Sequence, residues 1–251
     1  MKRDELITYL DDYLRVREIE DASQNGLQVE GPEEVSDVAF AVDACQASFE
    51  RAVAAGVQLL VVHHGLFWDK PIRLVGPWFR RVRALIAGGC GLYAAHLPLD
   101  VHQVVGNNAE LARLLELERT HSFGEYHGTT IGLGGVLDPP VPLRTLAERL
   151  ERATGAPCLR VLEGGPERAS RVGCISGGAA SMIDQVAKAG FDTFVTGETS
   201  HGRYHEAAEY GLNVIYGGHY ATETLGVKAL ARHLEATFGL ETTFLDIPTG
   251  L

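Results

Sequence analysis

The sequence predicts an α/β protein made of two similar three-layer α/β/α domains related by internal duplication. Three observations predict it. Short apolar runs alternate with amphipathic helical stretches, the pattern of parallel strands buried on both faces. A block of strand, helix, glycine cap and strand recurs without a gap, residues 38–64 against residues 172–198. Imidazole and carboxylate residues recur where the apolar runs end, the edge at which open α/β sheets bind ligands.

Each element follows from its local chemistry. Residues 2–17 read as a helix with Leu6, Ile7, Leu10 and Leu14 on one face. Ser23-Gln24-Asn25-Gly26 is a turn signal before a short strand at 27–29. The first repeat block gives a strand at 38–42, a helix at 47–55, and Gly56 at the position after a helix where a left-handed residue is favoured. Its second strand, Leu59-Leu60-Val61-Val62, ends in His63-His64. Adjacent strand residues point to opposite faces, so both imidazoles converge only if the chain bends, which Gly65 permits. A helix at 78–86 stops at Gly88-Gly89, and a strand at 92–95 leads to His96. Pro98 makes His96-Leu97-Pro98-Leu99-Asp100 a loop that presents His96 and Asp100 together. Asn108 is expected to cap a helix reaching about residue 117.

The junction is expected within residues 118–128, giving domains at 1–125 and 126–251. A glycine-rich strand at 131–136 is expected to end at Asp138-Pro139-Pro140, with a helix at 143–153 after it. The second repeat block follows, with Gly190 in the place of Gly56 and Glu198 level with His64. A strand at 213–216, a long helix at 222–236 and a last strand at 244–246 complete the chain. His96-x-x-x-Asp100 and His219-x-x-x-Glu223 look like counterparts, each after a strand led by Gly-Leu. A cleft between the two domains would gather ligands from both.

Composition narrows the function classes. The net charge of -11 argues against a broad nucleic-acid footprint, and a ring that encircles nucleic acid is disfavoured. Arg80, Arg81 and Arg83 read as a solvated helix face. Cys45, Cys90, Cys158 and Cys174 are scattered without a C-x-x-C pair, so neither a disulfide framework nor a thiolate zinc site is expected. No apolar run reaches the ~20 residues that span a bilayer, and the N-terminus begins an amphipathic helix. The expected compartment is the cytosol.

His63, His64, His96, Asp100, His219 and Glu223 are six nitrogen or carboxylate donors, more than one tetrahedral zinc takes, and predict a two-metal site. Mixed imidazole and carboxylate donors suit Zn, Fe, Mn or Ni. On a helix, His219 and Glu223 share a face one turn apart. Glu198 is a candidate for a substrate-side or backing group, and His102 for a backing group near Asp100. His121, His127, His201, His205 and His233 are expected at the surface. A metal pair implies hydrolysis; H-E-x-x-H, P-loop and G-x-G-x-x-G signatures are absent.

The segments Val62-His63-His64-Gly65-Leu66-Phe67-Trp68, His96-Leu97-Pro98-Leu99-Asp100 with Gly106-Asn107-Asn108, Gly218-His219-Tyr220-Ala221-Thr222-Glu223 and Asn25-Gly26-Leu27-Gln28-Val29-Glu30-Gly31 resemble motifs of the Nif-three-like (NGG-interacting factor three-like) family, whose members carry the label GTP cyclohydrolase I type 2 homologue. The resemblance implies a dinuclear metal centre held by His63, His64, Asp100, His219 and Glu223, with His96 beside it as a possible ligand or an acid/base group. It also implies a toroidal homohexamer. The expected activity is metal-dependent hydrolysis of a nucleotide or pterin-like ring, with GTP opening as the named case. The competing expectation is a non-catalytic hexameric metal-binding or regulatory protein.

Overall fold

The apolar runs assemble into two separate sheets in the computed structural model, which describes residues 1–251. Contacts divide the chain into one unit of Met1–Leu99 with Val227–Ile247 and another of Asp100–Gly226 with Pro248–Leu251.

The first unit begins with α1 (Arg3–Tyr13), β1 (Gly26–Val29), β2 (Asp37–Asp43), α2 (Gln46–Ala54), β3 (Leu59–His64), α3 (Pro77–Gly88) and β4 (Gly91–Ala94). Its sheet runs β1-β4-β3-β2-β11, where β11 is Glu241–Phe244 from the far end of the chain. β4, β3, β2 and β11 are parallel and β1 is antiparallel to β4. Strand residues 38–42 and 59–63 are buried without alternation, as expected of a sheet covered on both faces. Ala39, Ala41, Leu60, Val62, Leu92 and Ala94 share one face and pack with Phe49, Ala52 and Leu85 from α2 and α3. The short helix α4 (Leu97–Val101) then carries the chain across the division.

The second unit contains α5 (Asn107–Leu114), β5 (Glu118–Tyr126), β6 (Thr129–Pro142), α6 (Leu143–Thr154), β7 (Arg160–Leu162), β8 (Arg168–Cys174), α7 (Ile183–Lys188), β9 (Thr193–Thr196), α8 (Tyr204–Glu209) and β10 (Asn213–Tyr216). Its sheet runs β5-β6-β8-β9-β10-β7. Leu143, Leu146 and Leu150 of α6 and Leu111 of α5 pack on Val172, Cys174, Val195 and Ile215. The last helix, α9 (His219–Phe238), is continuous through the division at Gly226 and Val227.

The duplication is visible in the pairing register. Val38 pairs with Leu59 and Phe40 with Val61, while Val172 pairs with Thr193 and Cys174 with Val195. These are the partners that the gapless repeat dictates. Gly56 and Gly190 both take positive φ, at 72° and 85°, just past α2 and α7. Antiparallel β1 and β7 flank β4 and β10 in the same way. The third strands depart from the expected match. Gly91 pairs with Leu59 and Asn213 with Thr193, so His96 is level with Gly218 and not with His219. The His96/His219 correspondence is therefore one residue out of step, and Gly211-Leu212 precedes its strand while Gly91-Leu92 begins one.

Several boundaries differ from expectation. The division foreseen at residue 125 falls inside β5, because the β5–β6 hairpin pairs wholly within the second sheet. The first unit is also not continuous, since β11 returns to pair with β2. β6 runs on through Asp138-Pro139-Pro140; a register shift between Val136 and Val141 takes up the prolines, which have no N–H to donate. Asn108 lies inside α5, whose cap position is Gly106. The segment expected to be a loop at Pro98 is helix α4, since proline is tolerated in a first turn. α1 stops at Tyr13, short of residue 17, with Arg15 at φ 56°.

Candidate metal centre

β3 is the middle strand of its unit, and the neighbours on either side hold its two terminal imidazoles. His63 Nδ1 donates to the carbonyl of Ala95, just past β4, at 3.0 Å. His64 Nδ1 donates to Asp43 Oδ1, at the end of β2, at 2.8 Å. The rings lie 4.7 Å apart between centroids. Gly65 serves this corner by close approach rather than by a positive φ. A Cβ there would stand 2.4 Å from Gln28 Nε2 and 2.6 Å from Ala94 Cβ. Gln28 in turn accepts the Leu66 N–H at 2.7 Å, which ties the strand end to β1.

His96 joins this pair, its ring 5.1 Å from His63 and 5.6 Å from His64. Its Nδ1 faces both oxygens of Asp21, at 3.0 and 3.1 Å. Its backbone N–H donates to Asn25 Oδ1 at 2.8 Å. Burial works against the charge on Asp21, yet hydrogen bonds from His96, Asn25 and Ser23 outweigh it and hold the carboxyl below its usual range. Trp68 closes the corner, 5.0 Å edge-on from His96, with its indole N–H on the Gly65 carbonyl.

In all three histidines the partner of Nδ1 can only accept. Each ring therefore carries a proton on Nδ1, which leaves Nε2 as the nitrogen to face a metal. One ligand nitrogen from each of His63, His64 and His96 lies within 4.8 Å of the others. His63 and His64 offer donors that fit a divalent cation, with His96 beside them, each ring braced from behind.

The second unit supplies carboxylates. His219 and Glu223 sit one turn apart on α9, as the spacing predicts, with Nε2 and Oε1 3.0 Å apart. Glu198, just past β9, meets the other ring nitrogen of His219 at 2.6 Å. Burial pulls the His219 pKa down, but Glu223 and Glu198 more than reverse this and raise it to about 9. Without metal the ring is an imidazolium between two carboxylates, and a cation bound there takes the place of the Nε2 proton. Gly177, at φ 64°, leaves room for Glu223, since a Cβ would lie 2.2 Å from Oε1. Asp100 is buried in the same unit with a carboxylate oxygen within 4.8 Å of one of Glu223, and its Oδ1 accepts from Asn107 Nδ2 at 2.8 Å and Ser176 Oγ at 3.0 Å.

The remaining histidines lie elsewhere. His102 Nδ1 accepts the N–H groups of Val104 and Val105 and closes a turn. His121 stacks on Phe191, and His127 occupies the β5–β6 turn. His201 lies in a 3-10 turn ahead of His205 in α8, so the two do not share one regular helix. His233 is not a solvated position; it stacks on Tyr13 and meets the Tyr9 hydroxyl at 2.6 Å. Sequence reasoning missed Asp21, Asp43 and Gly177. Asp43 had a signal, since it ends a strand next to the one that carries His64. Burial pushes the thiol of Cys90 to about 11 and those of Cys158 and Cys174 to about 12, so these three are not thiolates near neutral pH.

Comparison with known proteins now decides the family. The family description Duf34/NIF3 (NGG1p interacting factor 3) matches residues 1–250. The chain belongs to the Duf34/NIF3 family. Among curated relatives, a GTP cyclohydrolase 1 type 2 homolog of Deinococcus radiodurans is 45% identical over 249 residues, covering 99% of this chain and 94% of its own. One from Pyrococcus abyssi is 43% identical over the full length of both chains. The crystal structure of TTHA1606 from Thermus thermophilus superposes with a TM-score of 0.91 at 49% identity, over 100% of both chains. The duplicated α/β layout described above is thus the layout of a Duf34/NIF3 protein, and no helix in it is long and apolar enough to cross a membrane.

Proposed function

We propose that this protein is a cytosolic, dinuclear metal-dependent hydrolase that acts on a nucleotide or pterin-like ring, in the manner of a GTP cyclohydrolase I type 2. The observation that carries the reading is the set of three braced imidazoles at the end of β3 and β4, His63, His64 and His96. The metal ligands are His63, His64, Asp100, His219 and Glu223. This set gives three neutral donors and two carboxylates, a balance suited to two divalent ions of the Zn, Fe, Mn or Ni type. The relatives named for GTP cyclohydrolase support the substrate class.

Two divalent cations held there supply Lewis acidity toward a carbonyl or phosphoryl oxygen and a more acidic water. His96, braced by Asp21, moves the proton at Nε2. Trp68 gives a flat heterocycle a stacking partner beside His96. The assembly in this reading is a homohexamer. Leu74, Val75, Phe79 and Ile86 support it, since one stretch of the first unit exposes all four to solvent.

The test is metal analysis of protein purified without added ions, followed by assays of the chelator-stripped and metal-refilled protein on GTP, related nucleotides and simple phosphoesters. The expected result is two divalent ions per chain and metal-dependent turnover. Binding without turnover of any of these substrates would turn the reading to a metal-binding or regulatory role. No binding at all would end both.

A further inference from the structure

The acceptors behind the three imidazoles are graded. His63 donates to a neutral backbone carbonyl. His64 donates to Asp43, whose side chain is 36% exposed, so water shares its charge. His96 faces both oxygens of Asp21, whose side chain is 3% exposed. The Asp21 carboxylate is also saturated. It accepts from the Ser23 N–H at 3.1 Å, from Asn25 Nδ2 at 2.8 Å and from the Leu97 N–H at 2.9 Å, besides His96. Asn25 closes the clamp by taking the His96 backbone N–H. One turn, residues 21–25, thus fixes the ring, its backbone and the start of α4.

A metal ligand stays neutral while the metal is bound, and either a carbonyl, as behind His63, or a water-exposed carboxylate, as behind His64, sets its tautomer. A ring that carries a proton at Nε2 during a reaction gains from a buried carboxylate in particular. A buried, fully hydrogen-bonded carboxylate at Nδ1 both orients such a ring and stabilises the imidazolium that forms. We infer that Asp21 is a positioning residue that holds His96 in the Nδ1–H tautomer as the proton-moving group of the site, distinct from the metal-ligating histidines. This rests on the hydrolase reading for the use of the proton. The geometry can be tested without turnover.

The experiment uses 15N-labelled full-length protein at mildly alkaline pH, metal-free, with two-bond 15N–1H spectra of the histidine rings; His96→Gln assigns the His96 signals. Wild-type protein is expected to show His96 as Nδ1–H. Asp21→Asn is expected to bring in the Nε2–H form, while Asp21→Glu, which keeps a carboxylate, retains Nδ1–H. Zn²⁺ affinity, measured by competition with a chromophoric chelator, is expected to change less than about threefold in Asp21→Asn but to weaken roughly 10–100-fold in Asp43→Asn, which backs a ligand. An unchanged His96 tautomer in Asp21→Asn overturns the inference. So does a Zn²⁺ loss equal to that of Asp43→Asn, which would make His96 a ligand. If Asp21→Asn does not fold, an Nε2–H ring in Asp21→Glu overturns it. A protein that never turns over GTP but shows these tautomers refutes the hydrolase reading and leaves the clamp standing.

Discussion

His219 shows how one residue ties stability to pH. Its ordinary pKa is 6.5 and its value here is about 9, set by Glu223 and Glu198 against the opposing effect of burial. A histidine raised on folding stabilises the folded state while it is protonated. In the metal-free protein this contribution is complete below about pH 6.5, declines as the pH rises, and is gone above about 9, with a size of a few kcal/mol. Metal-free protein unfolded with urea across that window is expected to lose stability as pH rises, and Glu223→Gln is expected to flatten the profile. Metal binding has the opposite sense, because the cation displaces a proton from the ring. Zn²⁺ titration calorimetry near neutral pH, repeated in buffers of different ionisation enthalpy, is expected to report about one proton released for this residue.

At the scale of elements, α9 and α5 meet at a glycine. The Gly226 N–H donates to Asn107 Oδ1 at 2.7 Å, and Asn107 Nδ2 donates to Asp100 at 2.8 Å. Helix propensity alone says that Gly226→Ala should stabilise α9 by about 1 kcal/mol. The contact says otherwise. A Cβ at Gly226 would lie 2.6 Å from Asn107 Oδ1 and 3.0 Å from both its Cγ and its backbone N. Backbone cannot yield as a flexible side-chain tip can, so the net effect is expected to be destabilising by about 1–3 kcal/mol. Thermal melts of Gly226→Ala measure the sign. Metal affinity should fall as well, since Asn107 orients Asp100.

At the scale of the whole molecule, the prediction concerns surface. Leu74, Val75, Phe79 and Ile86 are each about half exposed or more, within an acidic chain of net charge -11. The homohexamer proposed above would cover these apolar side chains. Light scattering is expected to give the mass of six chains, and Phe79→Glu combined with Ile86→Glu to give smaller species that still bind metal. A wild-type monomer would remove the hexamer from the reading without touching the metal site.

The fold class, the repeat and the donors were legible in the sequence because they are local: apolar period, glycine after a helix, imidazole at a strand end. His63, His64, His96 and the His219–Glu223 pair could be named from spacing alone. Local pattern failed where partners are remote. Asp21 lies 75 residues before His96 in the chain, and Asp43 lies 21 before His64, so nothing near either histidine announces its carboxylate. The unit boundary was misplaced for the same reason, because β11 returns to β2 from the other end of the chain. Even Gly65 was given the wrong cause, a bend where the structure has crowding by Gln28 and Ala94. The sequence by itself determined which imidazoles and carboxylates stand at the strand ends and on the first turn of α9. Only the tertiary structure decided which nitrogen of each ring is presented, because a tautomer is set by the hydrogen bond behind it, and that partner arrives from another strand.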